Sequence, residues 1–147
     1  MPNQSRDLRE LTDLRALQSM KCLSAEQAQS RAFDHLTSQK SARELAETKL
    51  SVSISDWNDF WHSDLNDAEW LNVLRQAISD RQDQLTLCEQ DVELAKEALD
   101  ESIKYHSQQR DCEVELSKRL RRKTRLFFDH RDELLRESIP PRQAVQS

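Results

Sequence analysis

Residues 71–99 read LNVLRQAISDRQDQLTLCEQDVELAKEAL, and their apolar positions alternate by three and four residues. This heptad spacing places them on one face of an α-helix, as in a coiled coil. Arg81 is the one interruption of the row. The row consists of Leu71, Leu74, Ile78, Leu85, Cys88, Val92, Ala95 and Leu99, and after a polar interval the same register reaches Leu116, Leu120, Phe127 and Leu134. We therefore expect one continuous helix over about 67–137.

The composition favours long helices over a compact mixed fold. The 147 residues include no glycine, and the three prolines are Pro2, Pro140 and Pro141. Tight turns and hairpin loops draw on glycine, which argues strongly against β and α/β domains. Hydrophobic residues make up 36% of the chain and charged residues 33%, which suits two helices sharing a narrow seam. Disorder is the rival interpretation of so polar a chain, and the heptad periodicity argues against it.

The first half carries a weaker apolar row, of which about half is alanine. Alanine lets a partner helix approach closely and receive the larger side chains of the second helix. The row consists of Leu8, Leu11, Leu14, Ala25, Ala28, Ala32, Leu36, Ala42, Leu45, Ala46 and Leu50. We expect helix 1 over about 6–50.

A bend is expected over about 51–66, because serines alternate there with apolar residues and several good N-caps follow. Asn66, with Glu69 three residues later, has the form of a capping box at the start of helix 2. Residues 138–147 are expected to be a disordered tail. The predicted fold is all-α: residues 1–147 form a single domain, an antiparallel two-helix coiled-coil hairpin with a longer second helix.

The unequal helix lengths predict an overhang of helix 2. If the chain reverses near residue 60, residues beyond about 115–120 have little or nothing of helix 1 beside them. Exposed apolar side chains on such a segment call for a partner. The overhang retains Leu116, Leu120, Phe127, Phe128, Leu134 and Leu135.

No sequence pattern associated with catalysis or metal binding is found. HExxH, a phosphate-binding glycine loop, a nucleophile elbow and zinc-type spacing are all absent, and the three cysteines are isolated. A pair of helices also lacks the concave pocket that an enzyme needs. We expect a protein that is not an enzyme, without catalytic, cofactor-binding or metal-binding residues. Neither a signal peptide nor a membrane span is recognised, so a cytoplasmic location is expected.

The densest run of charge lies between residues 118 and 125, in a chain of net charge -5. A solvated basic face, phosphate contacts to nucleic acid, and contacts to an acidic protein collar are the three interpretations. The overall acidity and the neighbouring Phe127 and Phe128 favour a protein partner over nucleic acid. The run consists of Lys118, Arg119, Arg121, Arg122, Lys123 and Arg125.

Four aromatic residues crowd the predicted bend: Trp57, Phe60, Trp61 and Trp70. Such a cluster can close the end of the seam as a plug. It can also form a recognition surface whose aromatic side chains fill pockets on another protein. A plug accounts for one or two of these residues more readily than for all four.

The layout resembles a known family. A short hairpin with a basic run near its termini, a tryptophan-containing bend and a longer second helix is similar to the stalk proteins of bacterial type III secretion systems. These are the SctO, YscO and HrpO proteins, with FliJ as their flagellar relative. The most specific similarity is at Trp70, Leu74, Ala77 and Arg81. In the flagellar relative, an aromatic, a leucine, an alanine and a basic or imidazole side chain at this spacing contact the export gate.

This resemblance implies a central stalk that regulates an ATPase in protein transport and virulence. The terminal half of the hairpin would insert into the hexameric secretion ATPase and activate it, and the bend would link that ring to the cytoplasmic domain of the export gate. The chain would lie peripheral to the inner membrane at the secretion apparatus, without membrane insertion, and would be a monomer when free. Secretion chaperones are further candidate partners. The ring contacts would be Lys118, Arg119, Arg121, Arg122 and Arg125, and the gate contacts Trp70, Leu74, Ala77 and Arg81.

Two other functions stay open. One is a homodimeric coiled-coil adaptor or secretion chaperone, in which the seam pairs with a second copy of the chain. The other is a regulator that binds nucleic acid through the arginine run, with an affinity that falls steeply as salt rises.

Overall fold

The computed structural model describes residues 2–63 and 67–138, with side chains described from Ser5 onward. These residues form two α-helices and no strand: α1 spans Pro2–Trp61 and α2 spans Ala68–Ser138. The predicted all-α fold with a longer second helix is therefore confirmed. Within the described residues no backbone φ is positive, as expected where glycine is lacking.

The chain divides into two compact units, each containing a segment of both helices. The terminal unit comprises Met1–Ala25 and Tyr105–Ser147, and the central unit comprises Glu26–Lys104. Within each unit the α1 segment packs along the α2 segment.

The helices run antiparallel in the central unit. Near the chain reversal, the rings of Phe60 and Trp70 meet edge to face, with centroids 6.3 Å apart. Further from the reversal, Leu36 packs against Val92 and Ala95 in the hydrophobic core of the unit. Lower residue numbers on α1 thus meet higher numbers on α2, which is the pairing of the predicted hairpin.

The seam of α2 follows the predicted register. Every position of the row from Leu71 to Leu99 is buried or half-buried, including Arg81, and Val92 and Ala95 are almost fully enclosed. The polar positions that continue the row are also half-buried: Ser102, His106, Gln109 and Glu113. Heptad spacing alone therefore located the buried face of this helix correctly.

The predicted seam of α1 is wrong at Leu14, Ala42 and Leu45, which are exposed. Strict alternation by three and four requires Arg43 and Ala46 instead, and long polar side chains can line such a seam with their aliphatic stems. The observed row is Gln18, Cys22, Ala25, Gln29, Ala32, Leu36, Gln39, Arg43, Ala46, Leu50, Ser53, Trp57 and Phe60.

Helix α1 is longer than predicted at both ends. It begins at Pro2 instead of about residue 6, and it continues through residues 51–61, which were expected to lie in the bend. No glycine or proline interrupts this stretch, and Ser53, Trp57 and Phe60 extend its seam by three further steps. The chain reversal accordingly lies after Trp61.

The start of α2 is capped by Asp67. Its Oδ1 accepts hydrogen bonds from the backbone amides of Glu69 and Trp70, at 3.0 and 3.3 Å. This is the N-cap interaction with the second and third helical residues. Asn66, the cap expected from the sequence, lies outside the described residues.

The predicted overhang beyond about 115–120 is wrong for most of its length, because α1 lies beside more of α2 than expected. In the terminal unit, Lys123 Nζ approaches Asp7 Oδ2 to 3.7 Å. Ser138 is the last residue of α2, and the rest of the predicted tail lies outside the described residues. The half-buried apolar residues of this segment are Leu116, Leu120 and Phe127, and the exposed ones are Phe128, Leu134 and Leu135.

Candidate partner-binding surfaces

The seam of the terminal unit contains a polar layer. Gln18 is buried, and its Nε2 donates to the side-chain and backbone oxygens of Gln109 at 2.7 and 3.0 Å. Ser19 Oγ donates to Glu113 Oε1 at 2.9 Å. Cys22 is also buried, and Gln18 Nε2 donates to its Sγ at 4.0 Å. Because buried polar groups are stable only when paired, this layer favours one register of the two helices.

The layer holds its thiol and its carboxylate in their ordinary protonation states. Burial raises the pKa of the Cys22 thiol, and the hydrogen bond and negative charge of Glu113 raise it further. Hydrogen bonds from Cys22 and Ser19 lower the pKa of Glu113. Cys22 therefore remains a thiol near neutral pH, a poor nucleophile, and the layer is structural.

The basic run forms an exposed surface in the terminal unit, here called the basic face. All six side chains, from Lys118 to Arg125, are exposed. Arg119 pairs with Glu115 at 3.7 Å, and Lys123 pairs with Asp7. Among the described residues, no carboxylate forms an ion pair with the other four cations, Lys118, Arg121, Arg122 and Arg125. They can therefore bind acidic groups of a partner.

A groove of about 530 Å³ borders the basic face on one side. Its lining includes the apolar side chains of Leu11, Leu14 and Leu126 together with charged residues of both signs. Leu14, misplaced in the predicted seam, thus lines an open surface. The complete lining is Asp7, Glu10, Leu11, Leu14, Arg119, Arg122, Lys123 and Leu126.

A second groove, of about 400 Å³, carries positive charge alone. Arg15 of α1 joins Arg121 and Arg125 of α2 around Leu120 and Phe128. Sequence reasoning missed Arg15, because only the register between the helices places it beside the basic run. Three guanidinium groups next to an aromatic ring suit an acidic partner that also supplies an apolar side chain.

The aromatic residues of the central unit form a bend cluster of Trp57, Phe60, Trp61 and Trp70. The rings of Trp57 and Trp61 stack at 5.8 Å, and the guanidinium of Arg75 lies 5.9 Å from the Trp57 ring. Trp57 and Phe60 are half-buried, whereas Trp61 and Trp70 are 62% and 47% exposed. Packing thus accounts for two of the rings, and the other two are accessible to a partner.

The four residues assigned to the export gate by resemblance differ in their exposure. Trp70 is exposed, and Leu74, Ala77 and Arg81 are half-buried. Leu74 and Arg81 occupy seam positions, and Arg81 Nη1 donates to Gln84 Oε1 at 3.4 Å. Trp70 is therefore the most accessible of the four.

Clusters of metal-ligating or reactive side chains are few in the parts of the chain that the structure describes. No group of three or more His, Cys, Asp or Glu side chains there is placed to hold a metal ion, and the three cysteines are free. In the same residues, no helix is long and apolar enough to cross a membrane.

Fold and surfaces together define an all-α, two-helix protein with a basic face in one unit and an aromatic bend cluster in the other. No family model matches the chain, and no curated protein or solved structure matches it significantly.

Proposed function

We propose that this protein is the non-enzymatic central stalk of a bacterial type III secretion system. In this role its terminal unit inserts into the hexameric secretion ATPase and activates it, and its bend reaches the cytoplasmic domain of the export gate. The stalk works in the cytoplasm, at the inner membrane face of the secretion apparatus. The observation that carries the proposal is the exposed basic face, four of whose cations form no ion pair among the described residues.

The two units differ in the chemistry that they offer to partners. The terminal unit combines guanidinium groups with apolar grooves, which suits an acidic protein collar. The central unit offers exposed Trp61 and Trp70, which suit pockets on a second protein. Two dissimilar surfaces are what a connector between a ring and a gate requires.

Charge reversal on the basic face tests the contact with the ATPase. The triple variant Arg121→Glu, Arg122→Glu, Arg125→Glu should weaken binding to the host's secretion ATPase by about tenfold or more, because each close charge pair becomes repulsive. The binding of the native chain should also weaken as salt rises, since exposed ion pairs are screened. ATPase stimulation measured at two ionic strengths gives both results.

A matched control places the same change of charge in the central unit. Lys40, Lys96 and Lys104 are exposed there, and their reversal to Glu should leave ATPase stimulation near the native value. Equal stimulation by the native chain and the arginine triple variant would refute the proposed ring contact.

Substitution of an aromatic side chain at the bend by alanine tests the contact with the export gate. Trp70→Ala should lower affinity for the cytoplasmic gate domain and leave helicity by circular dichroism nearly intact, because Trp70 is exposed and lies outside the seam. If helicity collapses instead, the aromatic cluster acts as a plug.

The competing function is a homodimeric adaptor or secretion chaperone. The exposed apolar residues of the central unit, among them Leu87 and Leu94, are the observation in its favour. Sedimentation equilibrium separates the two functions: the stalk has the monomer mass of 17.3 kDa, and the adaptor has twice that mass.

A further inference from the structure

Helix α2 carries a second apolar row in the central unit, here called the outer stripe. It consists of Val73, Leu87, Leu94 and Ala98, all exposed, and each residue directly precedes a seam residue. Leu94, for example, precedes buried Ala95 and is itself 63% exposed. A two-helix pair needs only its seam, whereas a helix with apolar residues at a third heptad position is typical of bundles with more helices.

The outer stripe shares one side of the central unit with apolar residues of α1. A helix turns by about 100° per residue, so the residues that directly precede each seam residue all lie on the same flank of the seam. Because the helices are antiparallel, that side is the same for both. On α1 it carries Leu45 and Val52, which precede Ala46 and Ser53 and are both exposed.

Between Leu74 and Leu99 the opposite side of α2 is polar, so over this span the outer stripe is specific to one face. Residues that directly follow the seam from Leu74 to Leu99 are all polar or charged. They are Arg75, Ser79, Gln82, Thr86, Glu89, Glu93, Lys96 and Asp100. Over that span the exposed apolar side chains of α2 lie on one flank only; just beyond it, Ile103 follows the seam and is 43% exposed.

Between Val73 and Ala98 the charged residues in and beside the outer stripe of α2 are all acidic, whereas the α1 row on the same side carries one basic residue, Lys49, between Leu45 and Val52. Asp80 and Asp91 continue the stripe itself, and Asp83 and Glu97 lie in the adjoining row. All four are exposed, and within the described residues none forms an ion pair. This strip of α2 therefore presents heptad-spaced apolar side chains edged with negative charge.

We propose that this side of the central unit binds an amphipathic helix of a partner protein, with Lys or Arg residues beside its apolar stripe. Heptad-spaced side chains on two adjacent helices form a groove that accepts the knobs of a third helix. The unpaired acids select a basic partner through charge complementarity. A second copy would bring its own row with Asp80 and Asp91, and the like charges would repel each other. The same acidic residues repel the phosphates of nucleic acid and of anionic lipid.

A designed peptide tests this binding without prior identification of the partner. The probe is a fluorescein-labelled helix of four heptads with one leucine stripe flanked by lysine, and its binding to the full chain is followed by fluorescence anisotropy. Leu87→Ser with Leu94→Ser should weaken binding by about tenfold or more. The control variant is Ile54→Ser with Ile103→Ser, which removes two exposed isoleucines that follow the seam. It should bind the peptide like the native chain.

Charge is tested independently of apolar surface. Asp83→Asn with Asp91→Asn should weaken binding of the lysine peptide and reduce its salt dependence, and a peptide with glutamate in place of lysine should bind far more weakly than the lysine peptide. Equal binding of both peptides, or native binding by the Leu87 and Leu94 variant at native helicity, would overturn the proposal. Self-association that is lost in that variant would assign this side to a second copy and would overturn it too.

The outer stripe is proposed independently of the stalk function. Its test variants leave both the basic face and Trp70 unchanged, so ATPase stimulation should be native in the Leu87 and Leu94 variant. If the ring experiment fails and the peptide experiment succeeds, the stalk function is rejected and this site is retained. If the ring experiment succeeds and the peptide experiment fails, the stalk function is retained and this site is rejected.

Discussion

Gln18 illustrates how single polar residues can specify the pairing of two helices. An apolar residue at its position would pack in several registers, but its amide group finds both oxygens of Gln109 in only one. Ser19 and Glu113 add a second cross-helix hydrogen bond one turn further on. The stability of this layer depends on its being fully paired, because an unpaired buried amide costs on the order of 1–3 kcal/mol.

The cysteines should differ in reactivity as their surroundings differ. Burial raises the pKa of Cys22, whereas Cys112 is exposed. We expect native Cys112 to react with iodoacetamide at pH 8 about tenfold faster than Cys22, because burial limits access to Cys22 and the raised pKa of Cys22 lowers its own thiolate fraction. Peptide mass spectrometry after timed quenching measures both rates. In urea the two rates should converge, and equal rates in the native protein would contradict the burial of Cys22.

The same groups predict the pH dependence of stability. The lowered pKa of Glu113 means that its stabilisation is present above the ordinary carboxyl pKa and is lost as the pH falls through the lower folded value. The raised pKa of Cys22 works in the other direction: its stabilisation is present below the ordinary thiol pKa and is lost as the pH rises through the higher folded value. The layer is thus fully effective near neutral pH.

At the scale of the element, α1 is held by a narrow seam, and only residues in that seam should matter to stability. Leu36→Ala should lower the free energy of unfolding by about 2–3 kcal/mol, since Leu36 packs against Val92 and Ala95. Leu45→Ala removes the same atoms from a side chain that is 56% exposed, and should cost less than about 1 kcal/mol. Urea denaturation measures both values. Equal losses would mean that the sequence-predicted register, with Leu45 in the seam, is correct.

The N-terminus of α2 depends on Asp67. Asp67→Ala should cost about 1 kcal/mol in thermal unfolding, because two backbone amides lose their acceptor, and Asp67→Ser should recover most of that loss. Asp59→Ala on α1, which removes an exposed carboxylate without a capping role, is the control. A loss from Asp59→Ala as large as that from Asp67→Ala would assign the effect to charge instead of capping.

At the scale of the whole molecule, charge is divided between the two units. Residues 26–104 contain 17 acidic and 8 basic residues, and the remaining residues contain 10 acidic and 14 basic. The central unit therefore carries a net charge of about -9 and repels itself at low ionic strength. Exposed pairs such as Lys96 with Glu93 offset little of this repulsion, since each contributes roughly 0–1 kcal/mol.

Salt should therefore stabilise this protein. Raising the ionic strength from about 20 to about 300 mM should increase Tm by a few degrees, as screening weakens the repulsion within the central unit. Circular dichroism melting curves measure the shift. In Asp83→Asn with Asp91→Asn the shift should be smaller, and a fall of Tm with salt would mean that attractive pairs dominate.

Much of this fold was predictable, because the features that determine it are local. The absence of glycine, the terminal placement of proline and the heptad row of α2 predict two long helices, and the row locates the buried face from Leu71 to Leu99 correctly. The positions of the basic run and the aromatic residues are likewise visible in the sequence. What these surfaces bind stays a prediction.

The tertiary structure alone decided the register of α1 and the extent of its pairing with α2. The seam of α1 is made largely of alanine, glutamine and arginine, so neighbouring rows through Leu45 or Ala46 look alike until a partner helix distinguishes them. That register places Arg15 beside Arg121, Asp7 beside Lys123 and Gln18 beside Gln109. Helix formation depends on residues a few positions apart, whereas pairing in the terminal unit depends on side chains about a hundred positions apart, which no local pattern encodes.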